Sequence, residues 1–141
     1  MRVLLVSVLS FALFFLVNKA YSHSEIVIDK VYSVYDGDTI TIIVNDWPPL
    51  FRKMSIRING IDTPEMRGKC DEEKALAVIS KQLNIDALDG AKIITLENVR
   101  KGKYFRLLAD VYVDGESLAQ MQIDAGLARP YAGGKRESWC K

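Results

Sequence analysis

The order of apolar and polar residues after the N-terminal segment predicts three strands before any helix. Residues 25–35 place apolar side chains among β-branched and aromatic neighbours, with an irregularity near Asp29. A β-branched run follows at 39–44, and residues 50–58 resume the extended pattern after a turn-forming cluster. These segments predict an antiparallel three-stranded meander.

Two later segments have helical character. Asp71 can cap a helix that ends near Asn84, and a shorter helix begins at Ser117, runs through Ala125 and ends at Gly126. The apolar face of the first helix is expected to consist of Ala75, Leu76, Ile79 and Leu83.

Two further strands are predicted between these helices, at residues 91–99 and 106–113, around a basic turn at 100–103. The full order of elements predicts an α+β, mainly β fold: a five-stranded Greek-key barrel of the OB type with two short helices. The open face of such barrels commonly receives nucleic acid.

The N-terminal segment has the layout of a secretory signal peptide. Arg2 precedes an apolar run at 3–17, and the small-x-small triplet Ala20-Tyr21-Ser22 follows. A membrane anchor is the rival interpretation, but this run reaches only about 22 Å across a hydrocarbon core about 30 Å thick. We expect residues 1–22 to be removed, leaving domain 23–141 secreted or periplasmic without stable membrane association.

Charge and composition place the chain among ordinary globular proteins, with 49% hydrophobic and 26% charged residues. Removing residues 1–22 would take away Arg2 and Lys19 and no acid, leaving 17 basic and 18 acidic side chains. Any phosphate-binding patch must therefore be local rather than global.

The two cysteines, Cys70 and Cys140, would meet an oxidising compartment after export, where a pair tends to bond. A disulfide is favoured, and two unrelated buried thiols remain the alternative. Closing a loop of about 70 residues would stabilise the fold by roughly 4 kcal/mol. A zinc site is disfavoured because His23 is the only histidine.

Three acids stand out, although each has an ordinary structural interpretation. Asp38 follows an Asp-Gly turn signal, while Asp62 and Glu65 belong to Asp62-Thr63-Pro64-Glu65, which could simply cap a helical turn. Combined, carboxylate oxygens suit Ca²⁺, and a meander can bring Asp38 and Asp62 together. Two arginines, Arg57 and Arg106, could likewise be ordinary solvated cations.

Three motifs together resemble the staphylococcal nuclease family in order and spacing. They are Asp36-Gly37-Asp38-Thr39, Arg57-Ile58-Asn59-Gly60-Ile61-Asp62-Thr63-Pro64-Glu65 and Lys103-Tyr104-Phe105-Arg106. The resemblance extends from about Val31 to Tyr131.

The resemblance implies a calcium-dependent nuclease that cleaves DNA and RNA by in-line attack at phosphorus, leaving 3′-phosphorylated products. Asp38, Asp62 and the backbone carbonyl of Thr63 would hold Ca²⁺, and Glu65 would act as general base on the attacking water. We expect a monomer that prefers single-stranded substrates.

The same resemblance assigns the basic residues. Arg57 and Arg106 would grip the phosphate, and their planar donors suit two oxygens at once. Lys103 and Tyr104 match positions that contact a terminal phosphate, and Tyr131 matches a tyrosine near a nucleobase.

The chain also departs from the family's pattern. Gly102 stands where the best-known member has an acid near the metal, and Phe105 replaces a glycine, which bears on metal affinity and loop shape. Only ten residues follow Tyr131, so we expect no third helix. The ending is similar to that of short bacterial relatives, which implies that Cys140 ties the tail to Cys70.

Two alternatives to a nuclease remain at the level of sequence. A catalytically inactive OB module that binds single-stranded nucleic acid would keep the barrel and basic loops without needing a base or metal ligands. An anchored envelope protein would require the first segment to stay uncleaved.

Overall fold

The computed structural model describes residues 24–141, so the predicted signal peptide, residues 1–22, lies outside the described residues. Neither helix in the described part of the chain combines the length and the apolar composition that crossing a membrane would require. The strands in residues 24–141 are β1 Ile26–Val27, β2 Lys30–Val34, β3 Thr39–Ile43, β4 Lys53–Ile58, β5 Ile61–Asp62, β6 Ile94–Lys101, β7 Leu107–Val113, β8 Glu116–Ser117 and β9 Arg129–Pro130. The helices are α1 Asp71–Asp89 and α2 Leu118–Asp124.

The predicted meander is confirmed: β2, β3 and β4 pair antiparallel in chain order. Beyond it, β4 pairs in parallel with β7, which pairs antiparallel with β6. The sheet is therefore mixed. The register places Thr39 opposite Arg57 and Arg57 opposite Leu108, so the strand that carries Arg57 lies between the two halves of the sheet.

The first predicted strand is in fact two strands with different partners. β1 pairs with β6 and β2 pairs with β3, while Ile28 N–H donates to the Ile94 carbonyl at 3.1 Å and Asp29 N–H to the Ile43 carbonyl at 2.9 Å. The irregularity at Asp29 marks this break. Because β1 and β2 end the sheet without a ladder between them, the sheet is not closed, and the five-stranded Greek-key barrel stays a prediction.

The hydrophobic core lies on one face of β3 and β4, where buried and partly exposed residues alternate. Ile40, Ile42, Ile56 and Ile58 are each at most 1% exposed. Burying a side chain of this size contributes about 1.5–3 kcal/mol, so this stripe is a main source of stability.

The prediction for the first helix was wrong in its length and in its buried face. α1 has 19 residues, is capped by Cys70 rather than Asp71, and continues past Asn84 to Asp89. Ile79 is 55% exposed. Asn84 lies within the helix, and its side chain makes buried tertiary hydrogen bonds. The second helix agrees with prediction, since Ser117 Oγ accepts from Gln120 N–H.

The last strand, β9, was not predicted and brings the C-terminal tail against β5. Ile61 pairs with Pro130 and Asp62 with Arg129. Tyr131 N–H also donates to the Gly60 carbonyl at 2.8 Å. The segment that follows Tyr131 is thereby directed towards the residues after β5.

Candidate active site

The turn that carries Asp38 is held against α1 by close packing. A Cβ atom on Gly37 would lie 1.8 Å from Ser80 Oγ and 2.9 Å from Thr63 Cγ2. The Asn84 amide donates to the Gly37 carbonyl at 2.9 Å and to the Asp36 carbonyl at 3.1 Å. Glycine at position 37 therefore allows an approach that any side chain would prevent.

Asp38 lies at the centre of a buried polar group and is 6% exposed. Its Oδ2 atom is 3.0 Å from Arg57 Nη1 and accepts from Thr63 Oγ1 at 3.0 Å. Its Oδ1 atom accepts from Thr39 Oγ1 at 2.9 Å. Asp38 is thus in direct contact with both Arg57 and Thr63, which lie on later segments of the chain.

Arg57 is fixed by backbone oxygens as well as by Asp38. Nη2 donates to the Ile61 carbonyl at 2.9 Å and Nη1 to the Ile58 carbonyl at 3.2 Å. Because a guanidinium stays charged at any working pH, this position supplies a permanent cation beside the carboxylates.

A fourth acid, Asp36, lies beside Asp38. Burial, reinforced by the charge of the Asp38 carboxylate, raises the pKa of Asp36 to about 6. Asp36 Oδ1 accepts from Asp38 N–H at 3.0 Å, so Asp36 shapes the turn. The sequence motif contains this residue, but its Asp-Gly pattern indicated only a turn.

Asp62, Thr63 and Glu65 converge on one cation, the guanidinium of Arg136 in the tail. Its Nε donates to Asp62 Oδ1, its Nη1 to Glu65 Oε1, and its Nη2 to the Thr63 carbonyl at 2.8 Å. Asp62 is 3% exposed, whereas the Glu65 side chain is 51% exposed. Sequence analysis missed Arg136 because the contact depends on the unpredicted β5–β9 pairing.

The tail is also anchored beyond Arg136. Trp139 Nε1 donates to Asp62 Oδ2 at 3.0 Å, and the Arg129 guanidinium lies 3.8 Å from the Trp139 ring centroid. Cys140 forms the predicted disulfide with Cys70, with a Cα–Cα distance of 5.9 Å. The disulfide joins the end of the tail to the start of α1.

Glu73 is a second residue of the site that the sequence motifs did not indicate. It is 7% exposed, and its carboxylate accepts from Glu65 N–H at 3.2 Å and Lys69 N–H at 3.0 Å. A Cβ atom on Gly68 would lie 2.5 Å from Glu73 Cγ. Glu73 therefore positions the loop that presents Glu65.

A cleft of about 1000 Å³ opens beside these residues. Asp38, Glu65, Arg57, Lys103 and Tyr131 line it. Among the described residues, seven cationic side chains line the cleft against three carboxylates; the cations are Arg57, Arg67, Arg100, Lys101, Lys103, Arg106 and Arg136. The basic patch is local, as the nearly neutral composition required.

The turn between β6 and β7 supplies the basic end of this cleft, because Lys101, Lys103 and Arg106 line it. Tyr104 and Phe105 have φ angles of 55° and 56°, in the left-handed region that glycine favours. Tyr104 is 86% exposed and does not line the cleft, although it was predicted to bind substrate. Phe105 stacks on Phe51 at a centroid distance of 6.3 Å.

The oxygen donors suit a hard cation such as Ca²⁺, because two carboxylates and a carbonyl already surround the charge of Arg136. They are not drawn together as a compact acidic cluster. In residues 24–141, the His, Cys, Asp or Glu group with ligand atoms all within 4.8 Å is Cys70, Glu73 and Cys140. Its sulfurs are bonded to each other, so it is not a metal site.

A mainly β domain with two helices and an acidic and basic cleft at one side is of the OB and staphylococcal-nuclease type. Residues 55–138 match the family model described as staphylococcal nuclease homologue, and the chain belongs to this family. The resemblance inferred from the sequence motifs is thereby confirmed.

Two relatives come from Bacillus subtilis (strain 168). Endonuclease YncB is 35% identical over 97 residues, which are 67% of this chain and 43% of YncB. The SPbeta prophage-derived endonuclease YokF is 34% identical over 97 residues, which are 67% of this chain and 31% of YokF. The aligned region spans less than half the length of either relative.

Proposed function

We propose that the chain is a calcium-dependent nuclease that hydrolyses phosphodiester bonds of DNA and RNA and leaves 3′-phosphorylated products. The observation that carries this proposal is one basic cleft lined by a partly exposed carboxylate, Glu65, and by two arginines, Arg57 and Arg106. The endonuclease names of YncB and YokF support the same class of activity.

The arginines would bind and orient the scissile phosphate. Arg57 is already held by Asp38 and by the Ile61 carbonyl, so its charge need not reorganise when a phosphate arrives. Preorganised donors of this kind stabilise the negative charge that accumulates on the equatorial oxygens during attack. Arg106, which lies in the turn immediately before β7, lines the same cleft and would contact the phosphate as well.

Glu65 would act as the general base. It lines the cleft, and Glu73 fixes its backbone, so its carboxylate can accept a proton from water as that water attacks phosphorus. The new P–O bond forms while the bond to the 5′ oxygen breaks, and the leaving oxygen takes a proton from solvent. The phosphate stays on the 3′ oxygen.

Members of this family generally depend on a metal ion. Asp38, Asp62 and the Thr63 carbonyl are the proposed ligands for Ca²⁺, which when bound would add positive charge beside the phosphate. Because so few charged ligands are present, we expect an affinity on the order of 0.1 to 1 mM.

We further propose a monomer that prefers single-stranded nucleic acid, supported by the cationic cleft and by Tyr131 at its edge. Export through residues 1–22 to a secreted or periplasmic location belongs to the same proposal, on the basis of the N-terminal sequence pattern. Mass analysis of purified protein would test whether residues 1–22 are removed.

The test is digestion of single-stranded DNA and RNA by residues 23–141 with added Ca²⁺ or with a chelator. Cleavage with Ca²⁺ and 3′-phosphorylated ends are expected. Binding without cleavage in either condition would favour the inactive OB module instead, and neither binding nor cleavage would exclude both.

A further inference from the structure

Arg136 contacts two of the three proposed metal ligands, Asp62 and the Thr63 carbonyl, and also the proposed base, Glu65. One guanidinium engages Asp62 Oδ1, Glu65 Oε1 and the carbonyl of Thr63. Its three nitrogens thus take three separate acceptors. A divalent cation bound to the same oxygens would lie close to the positive guanidinium, so the two cations repel each other and compete for these acceptors.

The tail is built to hold Arg136 in this position. The Cys70–Cys140 disulfide closes one end, β9 pairs with β5 at the other, and Trp139 Nε1 donates to Asp62 Oδ2. Such tethering raises the effective concentration of Arg136 at the carboxylates. Arg136 is therefore held beside the carboxylates by the structure of the tail, so it is always available to compete with a cation that binds there.

We propose that Arg136 is an internal cation that competes with the metal for Asp62 and the Thr63 carbonyl, and so determines the affinity of this site for divalent cations. The proposal rests on the proposed function only in taking these oxygens as metal ligands. A metal binds when Arg136 has moved away. The observed affinity is therefore the intrinsic affinity of the ligands multiplied by the fraction of molecules in which Arg136 has moved away.

The first test is calorimetric titration of Ca²⁺ into residues 23–141 with the disulfide formed. Arg136→Gln is expected to bind Ca²⁺ at least tenfold more tightly than the unmodified sequence. Lys135→Gln is the matched control, because it removes the same charge one residue away from an exposed position outside the cleft. Its affinity should change by less than threefold.

Equal affinities for Arg136→Gln and Lys135→Gln would overturn the proposal, because general charge repulsion would then explain both. Weaker binding by Arg136→Gln would also overturn it, since Arg136 would then support the ligands rather than compete. The proposal would also be overturned if the unmodified sequence and both variants failed to bind Ca²⁺. Arg136→Lys, which keeps the charge but cannot engage three acceptors at once, should lie between.

A second test leaves Arg136 unaltered. The sequence contains two tryptophans, so Trp47→Phe makes Trp139 the only indole and its fluorescence reports the tail. Ca²⁺ should shift this fluorescence as the Trp139–Asp62 hydrogen bond is lost, with a midpoint that moves to lower Ca²⁺ when the disulfide is reduced. Calorimetric binding without any fluorescence change would contradict displacement of the tail.

Neither test measures cleavage. Ca²⁺ binding with the expected order of affinities but without digestion of nucleic acid would disprove the nuclease and retain the competition. Digestion of nucleic acid with equal Ca²⁺ affinities for all variants would retain the nuclease and disprove the competition.

Discussion

The two ends of the cleft are built in opposite ways. At the carboxylate end, Asp38 and Asp62 are 6% and 3% exposed, and helices, strands and the disulfide-linked tail surround them. At the basic end, the turn that supplies Lys101 and Lys103 to the cleft also carries Tyr104 and Phe105, which are 86% and 69% exposed. One end is fixed by tertiary contacts and the other mainly by its own hairpin.

This difference matches what each end would have to do. Groups that stabilise a transition state must be in place beforehand, because reorganisation during the reaction costs free energy. Cations that hold a nucleic-acid backbone can instead adapt to it, since phosphate attraction is long-ranged and independent of sequence. The comparison predicts that equivalent substitutions are more damaging at the carboxylate end.

The largest effect is expected for Glu65→Gln, which removes the proposed base and keeps the shape of the side chain. Cleavage should fall by about 10² to 10⁴, while binding of a single-stranded oligonucleotide is preserved. Initial rates and fluorescence anisotropy measure the two quantities. Glu72→Gln, on the exposed side of α1, is the control, and activity near that of the unmodified sequence in Glu65→Gln would disprove the assigned role.

The next largest effect concerns the tail. Cys70→Ser should lower the free energy of unfolding of oxidised protein by about 2–4 kcal/mol, because the loop of 70 residues is no longer closed in the unfolded chain. Urea denaturation with and without reductant measures this. Reductant should lower the stability of the unmodified sequence and leave Cys70→Ser unchanged; equal curves for both proteins would contradict the expectation.

Lysine substitutions compare the two arginines directly. Arg57→Lys should destabilise the fold by about 1.5–3 kcal/mol, because lysine cannot serve Asp38 and the Ile61 carbonyl together. Arg106→Lys should change stability by less than about 0.5 kcal/mol, since Arg106 Nε has only a 3.5 Å contact with the Lys103 carbonyl. Equal losses in urea denaturation would invalidate the contrast between the two ends.

Gly37→Ala tests the packing of the Asp38 turn on α1. The added methyl would collide with Ser80, which is 0% exposed, so we expect a loss of about 1–3 kcal/mol. Gly90→Ala is the matched control, because its Cβ would meet only an ordinary contact at 3.5 Å. Thermal unfolding of both variants measures the difference, and similar midpoints would mean that the turn can move.

The smallest effect is expected at the basic end. Phe105→Ala removes the stack on Phe51, which contributes about 0.5–1.5 kcal/mol when buried and less at this exposure. We expect a loss below about 1 kcal/mol in urea denaturation. A larger loss than that of Gly37→Ala would show that the hairpin is as firmly integrated as the carboxylate end.

The sequence was informative where local patterns carried the structure. A β-branched run predicted β3, a resumed extended pattern predicted β4, and the Ser117 cap predicted α2. It failed for α1 because part of its buried face is polar: Ser80 and Asn84 are buried against the turn that carries Asp38 and against α2, while Ile79 is exposed. Hydrophobic periodicity cannot detect such a face, since its stabilisation comes from tertiary hydrogen bonds.

The candidate site divides in the same way. Motif spacing indicated Asp38, Arg57 and Thr63, which the structure brings into contact. Arg136 had no comparable signal, because its position depends on two-residue strand pairing and on a cross-link between distant cysteines. Assigned roles in metal binding and catalysis, including those of Lys103 and Tyr131, stay predictions.

The side-chain amide protons of Asn84 and Gln122 report, through their exchange rates, on motion of α1 relative to its neighbours. Both residues are 0% exposed, and their four amide protons find acceptors on Asp36, Gly37, Ser80 and Asn84 itself. The Asn84 protons exchange with heavy water when α1 separates from the turn, and the Gln122 protons when α2 separates from α1. Exchange rates measured by nuclear magnetic resonance would therefore compare these two openings without a substitution in the site.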